Sequence, residues 1–93
     1  MPIYLVTYDL NKESSSEDYK PLWADLKRLG AHRALESVWL VNVTNTTNEL
    51  GEHLKRLVDG NDSLFVTKLR QGEIWRFRNK AGTTEWLEKN PPS

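Results

Sequence analysis

Residues 3–8 (IYLVTY) are β-branched and aromatic-rich, as a strand requires. Both of its alternating faces are apolar: Ile3 and Leu5 on one, Tyr4, Val6 and Tyr8 on the other. A strand of that kind must be covered on two sides. The chain therefore has to supply helices for one face and something else for the other. It has only 93 residues for the purpose, near the lower end of what folds on one core.

The rest of the chain supplies one helical layer readily. After a polar loop at 11–18, Tyr19, Leu22, Trp23, Leu26 and Leu29 fall on one helical face. Ser16 or Asp18 can cap its start, Pro21 is tolerated in the first turn, and Gly30 is a natural stop. Residues 32–43 are again strand-like but long for one strand, and a bend near Glu36 and Ser37 would split them. Thr46 and Glu49 have capping-box spacing ahead of Leu50, Leu54, Leu57 and Val58, a second amphipathic helix stopped by Asp59 and Gly60. Residues 63–69 form a further strand.

The order β-α-β-β-α-β predicts an α+β fold, a ferredoxin-like sandwich with one antiparallel sheet and two helices on one face. The alternation at 73–79, with Trp75 and Phe77 on one side and Ile74, Arg76 and Arg78 on the other, predicts a fifth strand. A short helix capped by Thr83 or Thr84 and carrying Trp86 and Leu87 should follow. The chain reads as one domain, 1–93, with its core in 3–70 and an extension at 71–93. Two helices leave the other sheet face apolar, and an exposed apolar patch of that size marks an interface. A homodimer is expected, packed sheet to sheet or with the fifth strand added to a partner's sheet edge.

Composition narrows the function classes. Thirteen Lys and Arg balance thirteen Asp and Glu, so bulk charge does not drive nucleic-acid binding, though a local basic patch is compatible. Near-neutral charge also protects poorly against self-association. With no cysteine, disulfides, thiolate catalysis and Cys-ligated zinc are excluded. No basic segment precedes an apolar run at the N-terminus, and no run approaches membrane-spanning length. The expectation is a soluble, cytoplasmic protein with no membrane partner.

The candidate chemistry is sparse. Asp9, where the first strand meets the polar loop, is either a loop cap through its own backbone or a ligand for a hard cation such as Mg²⁺. One carboxylate per chain makes a thin metal site, and two Asp9 residues across a two-fold axis would repair it. Ser37 reads as a turn residue. His32 and His53 lack metal-ligand spacing and read as surface histidines. Arg33, Arg70, Arg76, Arg78 and Lys80, with Trp75 beside them, suit either phosphate contact and base stacking or a charge-guarded edge strand. No phosphate loop, glycine fingerprint or Ser-His-Asp spacing is present, and the glycine-flanked aromatic motif of RNA-recognition modules is missing.

Taken together, the "VTYDL" run ending near Asp9, the helix closing at Leu29 and Gly30, the segment "RALESVWLVNV", the capped second helix and the strand "DSLFVTKL" resemble a known family. It is the small CRISPR-associated nuclease-like subunit, the non-integrase partner of the spacer-integration complex, with the related VapD proteins. The wording is most similar to the SinR branch. The resemblance covers roughly residues 3–70. It implies a ferredoxin-like homodimer and a metal-dependent nuclease acting on RNA or DNA. Asp9 would lie near the dimer axis as the catalytic and Mg²⁺-binding residue. Arg33, Ser37, Val38 and Trp39 match a recurring pattern in the second-strand segment, with Ser37 a further catalytic candidate. Basic charge typical of the duplex-binding members is absent here. A non-catalytic dimeric adaptor in a defence or mobile-element system, binding nucleic acid or protein, is the alternative.

Overall fold

The structure is a computed structural model that describes residues 2–9, 19–60 and 62–92. Its elements run β1 (Ile3–Asp9), α1 (Lys20–Arg28), β2 (His32–Leu35), β3 (Val38–Asn42), α2 (Thr47–Lys55), β4 (Ser63–Lys68) and α3 (Thr83–Lys89). The four strands form one antiparallel sheet in the order β2-β3-β1-β4. The result is a small α+β architecture compatible with a ferredoxin-like fold.

β1 sits in the interior of the sheet, as its two apolar faces demand. Tyr4, Val6 and Tyr8 face the helices and pack with Trp39 and Val41 of β3 and with Leu22, Leu26, Leu50 and Leu54 of α1 and α2. Leu22, Leu26 and Leu54 are fully buried, each contributing about 1.5–3 kcal/mol of transfer free energy.

Local chemistry sets the helix ends. The N–H groups of Gly30 and Ala31 bond the carbonyls of Lys27 and Leu26, a Schellman closure that needs the left-handed φ of +76° at Gly30. Thr46 and Glu49 form the full capping box, with bonds of 3.2 and 2.8 Å. The candidate caps Ser16 and Asp18 lie outside the described residues, as does the polar loop; the N-cap position of α1 is Tyr19. α2 ends at Lys55, earlier than its apolar periodicity implied. Leu57 and Val58 continue past it in a turn and still pack on the core.

The expected fifth strand is a correction. Residues 73–79 form no strand. Their alternation holds locally, since Trp75 and Phe77 lie on one side, but no neighbouring strand offers the ladder that would turn alternation into sheet. The segment instead runs irregularly over the second face of the sheet to α3. The short helix stands where the sequence put Trp86 and Leu87, with Gly82 rather than a threonine at its N-cap. α3 is clasped by three side-chain bonds: His32 Nε2 with Thr83 Oγ1 at 2.8 Å, Trp86 Nε1 donating to Gly30 O at 3.1 Å, and Asn42 Nδ2 donating to Asn90 Oδ1 at 2.7 Å. His32 is thus a half-buried clasp rather than a surface residue. Ile3, Leu40 and Leu87 are buried on this side, so the extension covers part of the second face. What stays uncovered is Leu35, Phe65, Trp75 and Phe77, all more than half exposed.

A surface network ties the two core helices. The Asp25 carboxylate accepts from Arg28 at 2.7 Å and from His53 of α2 at 2.6 Å. Burial works to raise the Asp25 pKa, but the hydrogen bonds and positive charge of Arg28 and His53 outweigh it and hold the carboxyl below its ordinary range. A depressed folded-state value stabilises the fold above the unfolded value, about pH 4. That stabilisation disappears as pH falls through the folded value. Asp25→Asn should flatten the acid limb of a stability–pH curve measured by urea melts. The loss at neutral pH should be below about 1 kcal/mol, because the network is at the surface. An unchanged acid limb would contradict this account.

Candidate functional site

Asp9 is the last residue of β1 and is exposed. Its neighbour Tyr8 anchors it. The Tyr8 hydroxyl accepts two indole N–H bonds, from Trp23 Nε1 and Trp39 Nε1, both at 3.0 Å. The end of β1 is thereby fixed against α1 and β3, while the Asp9 side chain is left to solvent.

The strand register brings Ser37 to the same end of the sheet. Thr7 pairs with Val38, the first residue of β3, so the Glu36–Ser37 turn emerges beside the C-terminal end of β1. The bend expected there is present, with an irregularity between Arg33 and Leu35. Ser37 is half-buried in this turn.

Arg33 is largely committed. Its guanidinium lies 5.1 Å from the Trp23 ring centre and 5.6 Å from that of Trp39, and its Nε donates to Glu36 O at 2.8 Å. Cation–π contact and a turn-closing hydrogen bond make it a brace for the Tyr8 cluster, with the rest of the guanidinium open to solvent. Lys80 shares a surface hollow with Arg33 and Glu36.

The other basic candidates do not converge on Asp9. Arg70 follows β4, whose final residue Lys68 pairs with Tyr4 at the opposite end of β1. Arg76 and Arg78 are exposed on the irregular segment that crosses the second face. Between that segment and the sheet lies a groove of about 390 Å³, lined by apolar side chains that include Leu5, Leu40, Leu35, Trp75 and Phe77.

The register also aligns residues from all four strands. Leu35 pairs with Val38, Val38 with Thr7, and Thr7 with Phe65. Directly paired residues share a face. These four therefore form one row across all four strands, next to Asp9, with Leu35 54 % and Phe65 65 % exposed. Phe65 stood in the sequence only as one residue of an apolar strand.

Among the described residues no group of three or more His, Asp or Glu side chains is placed to hold a metal ion. Asp9 stands at this end of β1 as an exposed carboxylate. No helix among the described residues is long and apolar enough to cross a membrane. No family model matches the chain.

Proposed function

We propose that the chain is a ferredoxin-like homodimer that acts on nucleic acid, hydrolysing phosphodiester bonds with Mg²⁺ at a pair of Asp9 carboxylates. The observation that carries this reading is the exposed row Leu35–Val38–Thr7–Phe65 beside Asp9. A two-fold contact made by that row would bring the two Asp9 side chains toward one axis. The resemblance to the CRISPR-associated and VapD proteins points the same way.

In this reading each Asp9 contributes one oxygen-donor carboxylate, a number that suits Mg²⁺, which keeps most of its waters and takes further oxygens from substrate phosphate. The bound ion would supply an activated water and charge stabilisation on the phosphate. The Ser37 hydroxyl, emerging at the same sheet end, would hydrogen-bond a phosphate oxygen or the water. Arg33 would present its free guanidinium edge to the backbone while its stack on Trp23 and Trp39 keeps it in place.

Asp9→Asn should reduce Mg²⁺-dependent cleavage of RNA and DNA to background, and EDTA should do the same to the unmodified protein. Cleavage that survives either treatment contradicts the mechanism. The second reading, a non-catalytic adaptor, is favoured by the placement of Arg70, Arg76 and Arg78, which do not converge on Asp9. It predicts nucleic-acid binding without cleavage, unchanged in Asp9→Asn.

A further inference from the structure

Trp75 is 85 % exposed and Phe77 65 % exposed, and neither is held there by a strand ladder. Their rings are parallel within 3°, with centroids 6.1 Å apart. Arg78 follows with a φ of +51°, a left-handed conformation that a non-glycine residue adopts at a steric cost. That turn of the backbone accompanies a guanidinium set 5.0 Å from the Phe77 ring centre. The surrounding charge is one-sided. Residues 70–80 hold Arg70, Arg76, Arg78 and Lys80 against the single acid Glu73, in a chain whose net charge is zero.

We propose that this segment is a stacking platform for single-stranded nucleic acid. Bases lie on Trp75 and Phe77, and the backbone phosphates meet Arg76, Arg78 and Lys80. Exposed aromatic faces interleaved with cations give two complementary terms: stacking open to any base, and attraction to a polyanion. The rings require bases whose faces are free, which a duplex hides in its own stack. A second copy of the chain is a poorer occupant. A two-fold contact centred on Trp75 and Phe77, as distinct from one centred on the row at Thr7, would set this basic segment against its own image, with like charges opposed. The inference rests on the nucleic-acid reading above but not on cleavage at Asp9.

The test uses full-length Asp9→Asn protein in EDTA, which separates binding from hydrolysis. Anisotropy is measured with labelled single strands of about 12 nucleotides, both RNA and DNA, and with a duplex of the same length. The platform predicts tighter binding to single strands than to duplex, with quenching of tryptophan emission. Trp75→Ala and Phe77→Ala should each weaken single-strand binding by roughly 5- to 150-fold, the range expected for loss of one stacked base. Trp75→Phe should retain most of it. Arg76→Ala should reduce the slope of log K against log salt for the single strand by about 0.7. Equal affinity for duplex, or alanine variants that bind like the parent, overturns the proposal. So does a result in which Trp75→Ala dissociates a dimer while binding per protomer is unchanged, because the occupant is then a second copy. Loss of cleavage in the unmodified protein bears only on the Asp9 mechanism, since the binding arm excludes metal throughout.

Discussion

Tyr8→Phe should lower the melting temperature by roughly 5–15 °C, although it removes one oxygen atom from a side chain already packed in the core. The Tyr8 hydroxyl accepts hydrogen bonds from two indoles, and Trp39, one of the donors, is 2 % exposed. Without the oxygen, the Trp39 N–H stays buried with no partner, at about 1–3 kcal/mol. The Trp23 N–H is only partly buried and recovers water at smaller cost. For a domain of this size 1 kcal/mol shifts the midpoint by roughly 4–8 °C. The check is a cycle with Trp23→Phe. If the shared hydroxyl is the cause, the two losses are less than additive, since Trp23→Phe removes one of the stranded donors. A Tyr8→Phe protein that melts with its parent would contradict the arrangement. Because Asp9 follows directly, the proposed metal-dependent cleavage should weaken in the same variant by more than its remaining folded fraction accounts for.

For the proposed two-fold contact, Phe65→Lys should shift the protein toward monomer, raising the dissociation constant by roughly 30-fold or more, the scale of an aromatic hot spot worth about 2 kcal/mol. The Phe65 side chain is 65 % exposed, so its replacement leaves the core untouched, and circular dichroism should be unchanged. The readouts are sedimentation equilibrium and the loss of concentration dependence in the melting temperature. Leu35→Lys, at the far end of the same row, should act in the same direction. If Phe65→Lys associates as tightly as the parent, the row is not the contact.

The parts legible in the sequence are those where one residue's conformational preference decides the outcome. Gly30 closes α1 because only a left-handed residue completes that Schellman turn. The Thr46 and Glu49 box starts α2. The apolar faces of β1 required cover on two sides, and the helices and the extension supply it. The segment 73–79 was misread because alternation is a property of one chain, whereas a strand is a property of two. The Tyr8 hydroxyl and its two indoles could not be read from spacing. Residues 8, 23 and 39 share no period, and nothing in their spacing pairs the hydroxyl with the two indoles. The row beside Asp9 was hidden for a related reason. Leu35 and Phe65 meet that face only through a register spanning four strands, including the irregularity before Leu35. Asp9 itself was legible as a candidate, since a carboxylate where a strand meets a polar loop can either cap that loop or bind a hard cation, but one carboxylate cannot disclose whether it has a partner.

Whether two Asp9 residues meet, as proposed, can be tested directly because the chain has no cysteine. An Asp9→Cys protein carries a single thiol, so mild oxidation or a short thiol–thiol cross-linker reports only on the distance between two copies of that position. For the proposed dimer, rapid and near-complete cross-linking is expected at concentrations where sedimentation shows two copies associated. The reaction should disappear when Phe65→Lys is added. A dimer that stays uncross-linked under the same conditions would contradict it.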